Sequence, residues 1–305
     1  MSSKIKHNQY GYLFVAPFIL GFLIFGLYPV VNTIALSFTD KTLMSATSSF
    51  IGFRNFQNLF ADSTFMTAIT NTWELWLMNF IPQIAIAFIL AIWFTNTRLK
   101  IKGVGIWRMI FYMPNLMMAS AVAALFFSLF SFYGPVNQLL VRSDILPEAV
   151  DFLRNPQIAR GLVVFIQWWM WFGQTTILLM AAMTAISPSL YEAAWVDGAG
   201  TFQMFTRITL PLIKPVLIYI LVTSLVGGMQ MFDIPYLLTD GRGSPANSIL
   251  TNNINMYMKF HSSKGHIGAA SSVGVIVFLM TSAVALLIFF LLREKHSTGK
   301  EIKEK

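Results

Sequence analysis

The chain has 305 residues, of which 56% are hydrophobic and only 11% charged, and its formal net charge is +8. Soluble domains are about 45–50% apolar and about 25% charged, so this composition excludes a water-facing surface over most of the chain and indicates that its bulk lies in lipid. The lack of cysteine excludes disulfides, thiolate metal sites and a cysteine nucleophile. Basic residues retain loops on the cytoplasmic side of a membrane, and no basic patch interleaved with aromatic residues indicates a nucleic-acid partner.

Six segments supply the roughly 20 mostly apolar residues that a transmembrane helix needs. They cover residues 12–36, 69–94, 106–130, 161–185, 212–232 and 269–292. The first is too long for a signal-peptide core of about 7–15 residues and lacks a following cleavage site, so we expect a retained helix. The sequence therefore predicts an all-α integral membrane protein with about six transmembrane helices, forming a single transmembrane domain over residues 1–305.

Lysine and arginine cluster in the two tails and in the link between the second and third segments, and the other loops mix acidic and basic residues almost evenly. The clusters are Lys4 and Lys6; Arg98, Lys100, Lys102 and Arg108; and Arg293, Lys295, Lys300, Lys303 and Lys305. Positive loops stay on the cytoplasmic side. Six crossings then predict that both termini, and also the link 186–211, are cytoplasmic.

The sequence contains none of the motifs GxxxxGK[ST], HExxH and GxSxG, so it predicts no ATP site, no bound cofactor and no enzymatic activity in this chain. An ion-coupled secondary transporter and a membrane-embedded enzyme are the alternatives. Secondary transporters usually carry ionisable groups at membrane depth, but Glu74 and Asp233 lie toward the outer ends of their helices. The four histidines lie outside the segments, at His7, His261, His266 and His296.

The link 186–211 predicts a helix–turn–helix. Ser187 followed by Pro188 is an N-cap followed by a first-turn proline, and a helix should run from there to residue 196. Gly198 and Gly200 should form the turn. Thr201 should cap a second short helix that ends before Pro211. Such a projection suits a groove in a soluble partner.

The link resembles the EAA loop of ABC importer permeases in three features: Glu192-Ala-Ala, the glycine six residues after the glutamate, and the proline at the end of the link. With Asp197-Gly-Ala and Phe205, the string is similar to the carbohydrate-uptake, maltose-permease-like branch, here in its short six-helix form. In that family the loop is the coupling helix that docks in the ATPase subunit. The resemblance implies the following ATPase-coupling residues: Glu192, Ala193, Ala194, Asp197, Gly198, Leu210 and Pro211.

The resemblance also implies an assembly in the bacterial cytoplasmic (inner) membrane. The family pairs this subunit with a second homologous permease, two ATPase subunits that bind ATP and Mg²⁺, and an extracellular solute-binding protein. Transport of a sugar would follow alternating access. Which sugar is carried stays open, and monosaccharides, oligosaccharides and glycerol phosphate all remain candidates.

Polar residues within membrane spans cost free energy and are therefore functional candidates. Here they include Gln230, and others stand beside Trp168 and Trp169. The maltose-permease resemblance implies sugar contacts at Asn115, Ala119, Gln167, Met170, Trp171, Gln174, Ser224, Gly228 and Met231. An interfacial tryptophan belt and interhelical glutamine bonds are the alternative. Uncharged candidates favour a neutral sugar over a phosphate, since an anion requires arginine or lysine.

Overall fold

The structure is a computed structural model that describes residues 9–96, 99, 101–239 and 241–293, and within these ranges it contains helices but no β-strand. Six helical stretches are long and apolar enough to cross a membrane, which confirms the predicted all-α membrane fold. They are Phe14–Ser37, Ser63–Thr95, Ala119–Arg142, Pro156–Thr184, Lys214–Leu238 and Ile267–Leu292. Several residues used above lie outside the described ranges: Lys4, Lys6, His7, Arg98, Lys100, Lys295, His296, Lys300, Lys303 and Lys305.

Helices of very different length follow one another along the chain. The first part of the chain forms α1 (Gln9–Phe22), a π-helical turn (Leu23–Leu27), α2 (Tyr28–Ser37), α3 (Arg54–Ala61) and α4 (Ser63–Thr95). The middle forms α5 (Val104–Tyr112), a 3₁₀ turn (Met113–Leu116), α6 (Ala119–Phe130), α7 (Pro135–Arg142), a second 3₁₀ turn (Phe152–Arg154) and α8 (Pro156–Thr184). The remainder forms α9 (Pro188–Val196), α10 (Thr201–Met204), a π-helical turn (Phe205–Thr209), α11 (Leu210–Leu212), α12 (Lys214–Met229), α13 (Asp233–Leu238), α14 (Asn252–Phe260) and α15 (Ile267–Leu292).

The chain divides into two compact units, Met1–Met66 with Asn255–Phe278 and Thr67–Ile254 with Leu279–Lys305. In the first unit, the segment after α2 is held by ring packing and by one amide. The rings of Phe38 and Phe56 lie 5.3 Å apart, and the Asn55 side chain donates to two backbone carbonyls of residues 37 and 39, each at 2.8 Å. These contacts fix the course of the chain between α2 and α4.

An ion pair joins the start of α4 to α14 in the same unit. Lys259 Nζ donates to Asp62 Oδ2 at 2.7 Å, and the Thr64 backbone N–H donates to the other carboxylate oxygen at 2.9 Å. Partial burial acts to raise the pKa of Asp62, but the bond and charge of Lys259, together with Thr64, outweigh it. The pKa of Asp62 therefore lies below its ordinary value.

The core of the second unit packs α4, α6, α8 and α13 around fully buried aliphatic side chains such as Leu75, Val122 and Ile166. Because lipid tails are as apolar as these side chains, close van der Waals packing and hydrogen bonds between the helices, and not transfer from water, hold this core together. At Gly173 the backbone of α8 approaches α5 so closely that a Cβ would lie 1.9 Å from the carbonyl oxygen of Phe111. Only glycine allows this approach.

The third predicted segment, 106–130, is wrong as a continuous helix. It consists of α5 and α6, with the 3₁₀ turn Met113–Leu116 and two extended residues, Met117 and Met118, between them. Pro114 has no backbone N–H and cannot continue the hydrogen-bond ladder of α5. As a result, Asn115 lies in the break and not early in a long helix.

A polar network holds the chain between α13 and α14 against α4 and α8. Arg160 contacts the carboxylate of Glu74 and donates to Asn71 Oδ1 at 2.5 Å and to the carbonyl of Ser248 at 3.1 Å. The Asn71 amide in turn donates to the carbonyls of Asn247 and Leu250. Glu74 is therefore paired, but the prediction that it lies toward a helix end is wrong, because α4 begins at Ser63 and Glu74 lies about three turns inside it.

Candidate translocation cavity and coupling loop

A cavity of about 250 Å³ opens between α4, α6, α8, α12 and the residues that follow α12. Eight of the nine residues for which sugar contacts were predicted line it: Ala119, Gln167, Met170, Trp171, Gln174, Ser224, Gly228 and Met231. Asn115 is not in the lining, because the break after Pro114 separates it from α6, whose first residue reaches the cavity. The structure thus brings the predicted set together with one exception, while their contact with sugar stays a prediction.

The contribution of α8 follows from helical spacing. Gln167, Met170, Trp171 and Gln174 recur at intervals of three and four residues, which places them on one face. Trp168 and Trp169 point elsewhere, since neither lines the cavity: Trp168 stacks on Phe172 at 5.2 Å, and Trp169 packs against Phe126 at 5.8 Å. Of the three neighbouring tryptophans, only Trp171 presents its ring to the cavity.

Two glutamine side chains of α8 are available to a solute in the cavity. Within the described ranges, the side chains of Gln167 and Gln174 form no hydrogen bond to the protein, although both line the cavity. Trp171 is 45% exposed. Amide donors and acceptors beside an exposed aromatic face can bind hydroxyl groups and the apolar face of a ring.

Helix α4 supplies a wall that the sequence reasoning missed, formed by Trp76, Asn79 and Gln83. The signal was available for two of them, because Asn79 and Gln83 are polar residues within a predicted span. Gln83 Nε2 donates to Thr175 Oγ1 at 2.7 Å and so ties α4 to α8. Polar side chains that are bonded in this way fix the distance between two cavity walls.

Trp76 is held against α12. Its Nε1 donates to Ser224 Oγ at 3.1 Å, and its ring stacks on Phe80 at 5.5 Å. A Cβ on Gly228 would lie 2.1 Å from Trp76 Cδ1. Gly228 is therefore glycine because the indole occupies the space that a side chain would need.

The link 186–211 forms the predicted projection, with two local differences. Helix α9 has the predicted bounds, and Gly198 adopts a left-handed φ of 79° that makes the turn. Ser187 does not cap α9 with its side chain; its hydroxyl bonds to that of Ser189 at 2.8 Å. Thr201 is not a cap either, since the capping position is Gly200, whose N–H donates to the side chain of residue 203 at 3.1 Å.

The second arm of the link is longer than predicted. It does not end before Pro211 but continues through the π-helical turn Phe205–Thr209 into α11. A proline is tolerated there because it occupies the first turn of that short helix. The Tyr191 hydroxyl bonds to Thr209 Oγ1 at 2.8 Å and joins the two arms.

The outer surface of the link combines apolar side chains with a carboxylate. Trp195 is 61% exposed, Val196 83% and Phe202 77%, and Glu192 on the same helix is exposed. Exposed apolar surface rimmed by polar residues marks a protein interaction site. We name these four residues the α9–α10 patch.

A polar cavity between membrane-spanning helices, joined to an exposed helical projection, is the architecture of a membrane transport permease. Residues 65–295 match the model of the family described as binding-protein-dependent transport system inner membrane component. The chain belongs to this family. It is the membrane component of an importer and not itself an enzyme, and the resemblance found in the sequence is confirmed.

Related proteins support this assignment over nearly the whole chain. The chain is 33% identical to the lactose transport system permease protein LacF of Rhizobium radiobacter, covering 96% of this chain and 97% of that one. It is 32% identical to the arabinooligosaccharides transport system permease protein AraP of Bacillus subtilis, over 90% and 86% of the two chains. The crystal structure of a bacterial ABC transporter involved in the import of the acidic polysaccharide alginate superposes with a TM-score of 0.78 at 28% identity, covering 95% of this chain and 96% of that one.

Proposed function

We propose that this chain carries a sugar or oligosaccharide across the inner membrane as one permease subunit of an ATP-driven importer. The observation that carries the proposal is the cavity lining, where the amides of Gln167 and Gln174, which form no hydrogen bond within the described part of the chain, stand beside the exposed ring of Trp171. Sugars offer hydroxyl groups to such amides and an apolar ring face to tryptophan. The lactose and arabinooligosaccharide relatives support the same class of solute.

A second homologous permease completes the pathway in this proposal. The cavity within this chain measures about 250 Å³, below the roughly 300–1,000 Å³ typical of a ligand site. A second chain facing it would supply the remaining wall. Access then alternates between the two sides of the membrane as the pair rearranges.

The α9–α10 patch is the proposed docking surface for a separate ATPase subunit, with two such subunits in the complex. Glu192 would pair with a basic residue there, and Ala193 and Ala194 allow close approach. The turn at Gly198, together with Asp197, sets the angle between the arms, and Leu210 with Pro211 returns the chain to the membrane. ATP and Mg²⁺ bind to the ATPase subunits, and this chain binds no cofactor.

The proposed topology places both termini and the α9–α10 patch in the cytoplasm, and an extracellular solute-binding protein delivers the sugar on the opposite side. Because the chain contains no cysteine, single cysteines report the side without background. We expect a cysteine at position 195 to react with a membrane-impermeant maleimide only in inside-out vesicles, and one at position 148 only in right-side-out vesicles. The opposite pattern would reverse the topology.

Transport is tested by reconstituting the complete importer with its binding protein and measuring sugar uptake and ATP hydrolysis across a panel of sugars. One sugar should stimulate both. Trp171→Ala and Gln174→Ala should lower uptake, whereas Trp168→Phe, which changes a ring outside the cavity, should not. Uptake that stays intact in both cavity variants would contradict the cavity assignment, and uptake driven by an ion gradient without any ATPase would contradict the importer.

Docking is tested by co-purification of the ATPase with the permease. Glu192→Ala removes the proposed partner carboxylate, and Gly198→Leu strains a residue whose φ is positive, at a cost of about 1–2 kcal/mol. Both variants should recover less ATPase at unchanged membrane yield. Glu148→Ala, which removes an exposed carboxylate outside the loop, is the matched control. Full recovery of ATPase with both loop variants would refute the docking surface.

A further inference from the structure

The cavity lining contains one carboxylate and no lysine, arginine or histidine among the described residues. That carboxylate belongs to Asp233, in the first turn of α13. It is exposed and forms no ion pair and no hydrogen bond to the described part of the chain. Five amide side chains, from Asn79, Gln83, Gln167, Gln174 and Gln230, supply most of the remaining polarity.

Two helix ends meet at this side of the cavity. Helix α12 ends at Met229, and Gln230 and Met231, which follow it, both line the cavity. A helix C-terminus carries a partial negative charge because its last carbonyls lack intrahelical partners. Helix α13 begins at Asp233, which also lines the cavity, and its N-terminus carries the opposite partial charge, so the two helix ends offset each other. The Asp233 carboxylate is therefore the net charge at this end, and no cationic side chain among the described lining residues compensates it.

We infer that Asp233 makes this cavity selective for uncharged sugars over sugars that carry a carboxylate, sulfonate or phosphate group. The inference rests on the proposed sugar transport and deepens it by naming the charge class of the substrate. A bound anion would meet the Asp233 carboxylate within a site that is partly shielded from water, where like charges repel more strongly than in bulk solvent. A neutral sugar meets the same carboxylate as a hydrogen-bond acceptor for its hydroxyl groups.

The fold itself does not dictate the charge of the cargo. The superposed alginate transporter imports an acidic polysaccharide, so a backbone of this kind also serves an anionic solute. The side chains that line the pathway can therefore set the charge of the solute. Among the described residues of this chain, those side chains supply one negative charge and no positive one.

The experiment compares matched neutral and acidic probes on the purified permease–ATPase complex without its binding protein, so that only the membrane cavity discriminates. α-1,4-Galactotriose and α-1,4-trigalacturonate, which differ only in the oxidation of C6, and further pairs of the same design are titrated while the quenching of tryptophan fluorescence is followed, since Trp171 lines the cavity. Wild type should bind the neutral member at least about tenfold more tightly, and this ratio should shrink as salt is added.

Asp233→Asn keeps the shape of the side chain and removes its charge, so the neutral-to-acidic ratio should fall about tenfold. Glu148→Gln, which removes a carboxylate outside the cavity, should leave the ratio unchanged. Equal binding of both probes to wild type, or an unchanged ratio in Asp233→Asn, would overturn the inference alone. Loss of complex assembly in Asp233→Asn would also overturn it, because the carboxylate would then be paired with a cation of another subunit. Failure of wild type to bind any probe would instead overturn the proposed sugar transport.

Discussion

The contact between Trp76 and Gly228 makes a quantitative prediction for Gly228→Ala. The new methyl carbon would lie 2.1, 2.5 and 2.9 Å from three atoms of Trp76, whereas carbon atoms pack at about 3.5–4.0 Å. The indole must therefore move away from α12. Overpacking of this kind costs about 1–3 kcal/mol, and loss of the bond to Ser224 adds about 0.5–1.5 kcal/mol.

Together these effects destabilise the folded chain by about 1.5–4.5 kcal/mol. The higher helix propensity of alanine offsets about 1 kcal/mol of that, which leaves a net loss of about 0.5–3.5 kcal/mol. Gly227→Ala is the matched control, because Gly227 precedes the site on the same helix and also borders the cavity, but has no atom within 4 Å of its added Cβ. The control gains the propensity without the clash.

Thermal unfolding of the detergent-purified complex checks the prediction. Gly228→Ala should unfold several degrees below wild type and Gly227→Ala at or above it, and sugar uptake should fall only in the first. In the Gly228→Ala background, Ser224→Ala should add no further loss, because its bond to Trp76 is already broken. Equal stability of the two alanine variants, or full additivity of Ser224→Ala, would refute the reasoning.

Two further predictions concern packing and acidity. Gly173→Ala places a Cβ 1.9 Å from the carbonyl oxygen of Phe111. A backbone atom cannot relieve this clash by a rotamer change, so the yield of folded protein should collapse. Gly161→Ala, with open space around it on the same helix, should match the wild-type yield, and an equal yield from both variants would contradict the close approach. Asp62 has a lowered pKa in the folded chain, so its pair with Lys259 stabilises the protein above the ordinary carboxyl pKa and is lost as the pH falls through the lowered one. Asp62→Asn should therefore unfold at a lower temperature than wild type at pH 7, with the gap closing below about pH 4; a gap that persists into acid would contradict the pair.

Local sequence rules were sufficient for the bounds of α9, which follow from a proline at its start and the glycine turn after it. The cavity-lining residues of α8 were implied by the family resemblance, and their spacing of three and four residues agrees with the single face observed. Each feature depends on neighbours within two helical turns.

Contacts between residues that are far apart along the chain could not be predicted from the sequence. Trp76 meets Ser224 across 148 positions, and nothing near either residue indicates that the two lie together. The break between α5 and α6 had a local signal in Pro114, but prolines also occur inside transmembrane helices, as Pro82 does within α4. Only packing decides which of the two prolines ends its helix.

The connections that join the link 186–211 to α8 and α12 are very short. Ala185 and Ile186, which lead from α8 into α9, are still hydrogen-bonded to the last turn of α8, and a single residue, Ile213, separates α11 from α12. Both α8 and α12 are walls of the cavity. The projection is therefore connected to both cavity walls without a flexible linker, and we expect any tilt imposed on it to be transmitted to α8 and α12.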